Sequence, residues 1–155
     1  MNTLSLYVEE RFIYFNNHYY SQIYGDSKWA EYLEVFDKLF VIARVKKQTS
    51  FDPITKGYKI TKNPNIIFIP LADYQGLYEG IKYLPATVSS VVKSVKQSQS
   101  NLLRLPGLIS NIAGVSAIWM NKNIAVQLVG DPYDVFSSGV GGKYAPVLKI
   151  VFTNL

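Results

Sequence analysis

Short apolar runs separated by segments with helical spacing recur along most of this chain. The runs cover residues 39–43, 66–69, 102–105 and 124–129. Near-continuous apolar runs of this length suit strands that are buried on both faces of a parallel sheet. Their alternation with helices therefore predicts an α/β fold, a Rossmann-like, doubly wound and mostly parallel sheet with helices on both faces.

The predicted helices are marked by apolar residues three or four positions apart. These residues are Trp29, Leu33 and Phe36; Tyr74, Leu77, Tyr78 and Ile81; Val88, Val91, Val92 and Val95; and Leu108, Ile112, Val115 and Trp119. Gly25, Asp26 and Ser27 offer caps for the first helix. Pro85 suits a first helical turn, so we expect a new helix to start there. Residues 144–155 suit either a helix opened by Pro146 or a strand.

The N-terminal part of the chain predicts strands and a β-hairpin. An apolar run at residues 4–8 indicates a strand, and aromatic-rich segments at 12–15 and 19–23 flank Asn16, Asn17 and His18. Asparagine tolerates the left-handed backbone that tight hairpin turns require. We therefore expect a hairpin near the N-terminus.

The composition limits the chemistry. At 155 residues the chain has the length of one domain, and it contains no cysteine, which excludes disulfides and thiol nucleophiles. His18 is the one histidine and falls in a predicted turn, so we expect no catalytic triad and no metal site built on histidine. No signal peptide or membrane-spanning run is evident, which predicts a soluble cytoplasmic protein.

The net charge of +5 favours anionic partners. Much of it lies in one stretch that contains Arg44, Lys46, Lys47, Lys56, Lys59 and Lys62. This stretch suits either a solvated loop or a basic surface that faces lipid phosphate or a sugar phosphate. No nucleic-acid motif is present, so nucleic acid is not an expected partner.

Five charged residues follow predicted strands, at the edge where open α/β sheets bind ligands. These candidate acceptor-binding residues are Arg44, Asp73, Arg104, Asp131 and Asp134. The arginines suit phosphate or carboxylate groups, and the carboxylates suit sugar hydroxyls. Two alternatives stay open: Asp131 and Asp134 could cap a helix that begins near Tyr133, and Arg104 could pair with Asp131. No catalytic residue is assigned.

Two further features have competing explanations. The glycine-rich run 138–143 does not match a phosphate loop, and no dinucleotide fingerprint follows the first strand, so no cofactor is expected. The other feature is an aromatic cluster that suits either hairpin packing or stacking on a sugar. Its members are Phe12, Tyr14, Phe15, Tyr19, Tyr20 and Tyr24.

Three strings, in order along the chain, resemble the N-terminal, acceptor-side domain of bacterial GT-B glycosyltransferases of capsule and exopolysaccharide clusters. They are residues 29–37 followed by Ala43-Arg44-Val45, the Arg104-Leu105-Pro106 string, and VGDPYDVF at 129–136, in which Tyr133 replaces the more usual tryptophan. The resemblance implies two Rossmann-like domains facing a cleft, one for a glycan or lipid-linked acceptor and the other for a nucleotide-sugar donor.

On that resemblance, residues 1–155 correspond to a single Rossmann-like domain, the incomplete N-terminal half of such an enzyme without its donor-binding domain. We expect the chain alone to be inactive, since sugar transfer needs both substrates held in reacting geometry. Expected partners are the acceptor, the missing domain or a partner chain, a second copy through exposed apolar surface, and the inner face of the membrane through peripheral contact. The alternative is a free-standing binding module without catalysis.

Overall fold

The computed structural model describes residues 1–74 and 76–129, and ten helices and strands lie in this part of the chain. The strands are β1 (Thr3–Phe15), β2 (His18–Ser21), β3 (Lys38–Lys47), β4 (Lys59–Thr61), β5 (Ile66–Leu71), β6 (Ser100–Leu105) and β7 (Asn123–Leu128). The helices are α1 (Asp26–Leu33), α2 (Gly76–Gln97) and α3 (Leu108–Trp119). The predicted elements after residue 129 lie outside the described residues.

All of the described strands belong to one sheet, which is built around β1. On one side β1 pairs parallel with β3 along most of its length, and on the other side its first half pairs parallel with β6. Strands β5 and β7 extend the sheet in parallel beyond β3 and β6. The second half of β1 pairs antiparallel with β2, which pairs antiparallel with β4. The long first strand therefore takes part in both the parallel and the antiparallel portions of the sheet.

The predicted doubly wound, Rossmann-like sheet with helices on both faces is wrong. The sheet is mixed, and the described residues contain seven strands but only three helices. The chain between β3 and β5 forms β4 and loops without a helix, and α1 between β1 and β3 has only eight residues. The first half of the chain thus extends the sheet instead of supplying a full helical layer to cover it.

The predicted hairpin is confirmed. Tyr14 pairs with Tyr19 across β1 and β2, and Asn16 and Asn17 have φ angles of 46° and 61° at the turn. Positive φ at both turn positions matches the right-handed twist of the flanking strands. The aromatic side chains of this region pack together, with Tyr19 stacked on Phe68 at 3.9 Å between ring centroids.

Two cores cover the two faces of the sheet. One is rich in aromatic side chains, and Tyr24 and the fully buried Trp29 pack there against β1 and β3. The other lies under α2 and α3, where Tyr7 of β1 packs with Val91 and Ile109. Because side chains alternate along a strand, the neighbours Leu6 and Tyr7 belong to different cores.

The helix expected to start at Pro85 is instead the second half of α2, which contains Pro85 in its interior. Proline removes the N–H that would bond the carbonyl of Ile81 one turn earlier. Ile81 and Pro85 are both exposed, so water can take the place of that donor. Burial of Val91 and Val95 then holds the second half of the helix on the sheet.

Apolar side chains are exposed along α3 and β7. Trp119 is 91% exposed and Ile118 71%, and on the last strand Val126 and Leu128 are 55% and 71% exposed. No helix among the described residues is both long and apolar enough to cross a membrane.

Candidate functional site

The candidate site lies where the parallel strands end and β1 is distorted. Between Tyr7 and Arg11 the register with β3 shifts, so that residues 8–10 of β1 stand opposite Ala43 alone. Extra residues of this kind bend a strand and redirect its side chains. The bulge thereby places Glu9, Glu10 and Arg11 near the ends of β5 and β6, beside Arg44 of β3.

Glu9 connects this bulge to the start of α3. Its Oε1 accepts a hydrogen bond from the backbone N–H of Ile109 at 2.7 Å. The helix needs such an acceptor, because its N-cap residue Gly107 makes no side-chain capping bond. Burial raises the pKa of the Glu9 carboxyl, while the Ile109 N–H and the charge of Arg44 lower it in part.

Arg44 is occupied by the protein itself. Its Nη2 donates a hydrogen bond to the backbone carbonyl of Glu9 at 2.6 Å, and its guanidinium lies 5.1 Å from the centre of the Tyr74 ring. Its buried Nε has no hydrogen-bond partner among the described residues. Arg44 therefore stabilises the bulge and keeps one N–H uncommitted.

Asp73 is likewise engaged. Its Oδ1 lies 2.6 Å from Nε of Arg11, and the pair is part-buried, with side-chain exposures of 18% and 34%. Arg11 also donates a weak hydrogen bond from Nη2 to the carbonyl of Tyr74 at 3.4 Å. These contacts tie the residues that follow β5 to the bulge in β1.

Arg104 lines a cavity of 220 Å³, which we call the strand-end cavity, together with Glu9, Glu10 and Tyr24. Its guanidinium lies 5.3 Å from the centre of the Tyr24 ring, and its buried Nε has no hydrogen-bond partner among the described residues. Burial lowers the pKa of Arg104, and the charge of Glu10 partly opposes that shift. The hydroxyl of Tyr24 is also buried without a hydrogen-bond partner in the described part of the chain.

The side chains that line the strand-end cavity suit a polar ligand that is either uncharged or anionic. Carboxylates accept hydrogen bonds from hydroxyl groups, and a guanidinium donates to oxygen atoms in fixed directions. Buried polar atoms are rarely left without partners, so unpaired donors beside a cavity indicate a place where a ligand or water binds.

Three of the five sequence-predicted residues, Arg44, Asp73 and Arg104, lie at this edge of the sheet, but only Arg104 lines the strand-end cavity. Asp131 and Asp134, and with them the alternatives of a helix cap and of a pair with Arg104, lie outside the described residues. Among residues 1–74 and 76–129, no group of three or more histidine, aspartate and glutamate side chains is arranged to bind a metal ion.

The sequence reasoning missed Glu9 and Glu10, and it named Tyr24 only as a member of the aromatic cluster. A signal for the first two exists: the charged string Glu9-Glu10-Arg11 interrupts two apolar runs that belong to one strand. Charged residues in the middle of a buried strand are typical of a bulge beside a functional site.

Comparisons with known proteins give one relative and no family. No family model matches the chain, and no solved structure matches it. The chain is similar to Protein CapJ of Staphylococcus aureus, with 26% identity over 131 residues, which is 83% of this chain. The match covers 32% of that protein, so the chain spans about a third of the relative's length.

Proposed function

We propose that this chain is the acceptor-side domain of a glycosyltransferase of capsule or exopolysaccharide biosynthesis. The similarity to Protein CapJ supports a capsule-associated role. The three strings that resemble GT-B glycosyltransferases support sugar transfer as the chemistry. The observation that carries the proposal is the strand-end cavity, which is lined by Glu9, Glu10 and Arg104 and in which the buried Nε of Arg104 has no hydrogen-bond partner among the described residues.

In this proposal the strand-end cavity binds a sugar of the acceptor. Glu10 accepts a hydrogen bond from the Ser21 hydroxyl at 2.9 Å, which fixes one carboxylate oxygen and leaves capacity for a ligand. Arg104 donates to a ring, hydroxyl or carboxylate oxygen of the sugar. The two carboxylates then select hydroxyl groups at defined positions, and their negative charge disfavours a second anionic group beside them.

The donor would be bound by further sequence or by a partner chain. The relative is about three times the length of the matched segment, which supports a second domain in the complete enzyme. The exposed apolar residues of α3 and β7 support a covered surface on this domain, because large apolar patches mark interfaces. The proposed enzyme is cytoplasmic and reaches lipid-linked acceptors through peripheral contact with the inner face of the membrane.

The test is an NMR titration of the isotope-labelled chain with glucose, N-acetylglucosamine and glucuronate as separate probes. We expect at least one sugar to shift the amide signals of Glu10, Tyr24 and Arg104. Arg104→Gln should weaken that binding, and most strongly for glucuronate, because it removes the charge that faces a carboxylate. Lys93→Gln, on the exposed side of α2, is the matched control.

Failure of all these sugars to shift the signals of the strand-end cavity would contradict the proposed site. A second measurement concerns the donor: if the donor is bound outside these residues, the isolated chain should not turn over a nucleotide sugar. Turnover above a control without protein would show that the donor site lies within these residues.

A further inference from the structure

A second cavity, of 380 Å³, adjoins the hairpin, and we call it the basic cavity. Three cationic residues line it, Arg11 of β1, Lys46 of β3 and Lys56 of the loop before β4, and Glu10 is its one acidic residue among the described lining. Only part of the basic stretch noted in the sequence therefore faces this cavity. Lys46 and Lys56 line it, whereas Lys59 lies on β4 and donates a hydrogen bond to the carbonyl of Ile23.

The cations of the basic cavity are available to a ligand. Lys46 and Lys56 are exposed, and neither forms a salt bridge within the described residues. Arg11 is held in place by Asp73 through Nε, and no described hydrogen bond uses its Nη1. Nζ of Lys56 also lies 5.9 Å from the centre of the Phe51 ring. A guanidinium held by Asp73 and two ammonium groups on long side chains form the kind of donor set that binds phosphoryl oxygens.

The rest of the lining is aromatic and amide-bearing. Phe51 and Tyr58 lie edge to face at 5.0 Å and both line the cavity. Phe15 and Tyr20 make further ring contacts with Phe51. Gln22 and Gln48 also line the cavity, and their side-chain amides make no described hydrogen bond. Aromatic walls pack against the C–H face of a sugar ring, while amides both donate to and accept from its hydroxyl groups.

We infer that the basic cavity binds a phosphorylated sugar, with the phosphoryl group on Arg11, Lys46 and Lys56 and the sugar against Phe51 and Tyr58. The inference goes beyond the proposed function, since it concerns a second cavity and does not require sugar transfer. Glu10 lines both cavities, so the two proposed sites adjoin at this residue.

The experiment is an NMR titration of the isotope-labelled chain with glucose 1-phosphate, inorganic phosphate, glucose and adenosine monophosphate as separate probes. Glucose 1-phosphate should shift the amide signals of Phe51, Lys56 and Tyr58 and bind most tightly. Lys46→Gln and Lys56→Gln should each weaken it by on the order of tenfold, the effect of one lost charge-assisted hydrogen bond. Both lysines are exposed, so a thermal melt should show that the variants stay folded, and Lys93→Gln is the control.

Unchanged affinity in both lysine variants, or tighter binding of adenosine monophosphate or inorganic phosphate, would overturn the inference. Vesicles of phosphatidylcholine with and without phosphatidylglycerol form a further arm. Shifts caused only by the anionic vesicles would assign the phosphoryl group to a lipid headgroup and would overturn the phosphorylated sugar. The signals of Tyr24 and Arg104 report on the strand-end cavity separately, so a failure at one cavity is distinguishable from a failure at the other.

Discussion

The side chain of Glu9 accepts a hydrogen bond from the backbone N–H of Ile109, which joins two residues that lie 100 positions apart in the chain. This contact ties the bulge of β1 to the first turn of α3 and holds one wall of the strand-end cavity. It replaces the local cap that Gly107 does not provide. A single carboxylate thus serves both the stability of a helix and the shape of the candidate site.

Glu9→Gln should change how stability depends on pH. The variant keeps an oxygen for the Ile109 N–H but has no charge. Because burial raises the folded-state pKa of Glu9 above its ordinary value of 4.5, the stability that Glu9 contributes is complete below 4.5 and is lost as pH rises through the folded-state pKa. We expect the unfolding free energy of Glu9→Gln, relative to the unsubstituted chain, to rise with pH over that window.

Urea unfolding at a series of pH values from below 4.5 to neutrality measures this difference. Glu34→Gln, which removes an exposed carboxylate at the end of α1, is the control. A difference between Glu9→Gln and the unsubstituted chain that stays constant across the series would contradict a raised folded-state pKa for Glu9.

Gly107→Ala should destabilise the protein, whereas Gly80→Ala should stabilise it. A Cβ on Gly107 would lie 2.6 Å from Cγ of Glu9, whose side chain is held by Ile109, while a Cβ on Gly80 would meet only Tyr74 at 3.5 Å. Crowding a packed site costs about 1–3 kcal/mol. Replacing glycine by alanine inside a helix gains up to about 1 kcal/mol.

Thermal melts should show a lower melting temperature for Gly107→Ala and a higher one for Gly80→Ala than for the unsubstituted chain. The double variant Gly107→Ala with Glu9→Ala should lose less stability than the sum of its single changes, since the second substitution removes the clash. Simple additivity would show that the cost at Gly107 arises elsewhere.

Local patterns predicted the individual elements well because each one depends on neighbouring residues. Three of the four apolar runs fall inside β3, β5 and β6, and the fourth matches β7 except for Val129, which lies one residue beyond its end. The four residues that marked the last helix, from Leu108 to Trp119, all lie on α3. The order and pairing of the strands were harder to predict from the sequence, since each pair joins residues that lie far apart in the chain. β4 was missed, because Lys59–Thr61 is a short strand with polar ends that forms only against β2.

In the candidate site, too, local features were predicted and long-range contacts were not. Arg104 was predicted at a strand end and lines the cavity there, but the sequence could not reveal that Arg44 bonds the carbonyl of Glu9 or that Asp73 pairs with Arg11. Those contacts depend on the shift in register between β1 and β3. The charged string Glu9-Glu10-Arg11 is a local signal of that bulge, but it does not reveal which residues of other strands the bulge contacts.

Asn16 tests the hairpin that frames the basic cavity. Its φ of 46° lies in the left-handed region, which glycine adopts without strain and which asparagine tolerates because its side chain hydrogen-bonds locally, whereas alanine costs roughly 1 kcal/mol there. Asn16→Gly should therefore be at least as stable as the unsubstituted chain, and Asn16→Ala should be less stable by about 1 kcal/mol. Asn17 is less suitable for this test, because its side chain also accepts a hydrogen bond from Tyr14. Equal melting temperatures for the two Asn16 variants would contradict the turn.

Thr61→Val tests how the aromatic core supports the strand-end cavity. Nε1 of the fully buried Trp29 donates a hydrogen bond to Oγ1 of Thr61 at 2.8 Å, which connects α1 to β4. Valine has nearly the same shape but offers no acceptor, so the indole N–H stays buried and unpaired. We expect a loss of about 1–3 kcal/mol, against a smaller loss for Thr61→Ser, which keeps the hydroxyl.

Urea unfolding in a Trp119→Phe background, where Trp29 alone reports by fluorescence, measures both variants. Tyr24 stacks on Trp29 at 4.6 Å and lies under the guanidinium of Arg104, so a displaced indole should also move the strand-end cavity. The amide signals of Tyr24 and Arg104 should therefore shift in Thr61→Val and stay near their original positions in Thr61→Ser. If valine were as stable as serine at this position, the hydrogen bond would contribute nothing to the fold, and the aromatic stack alone would hold Tyr24 beneath Arg104.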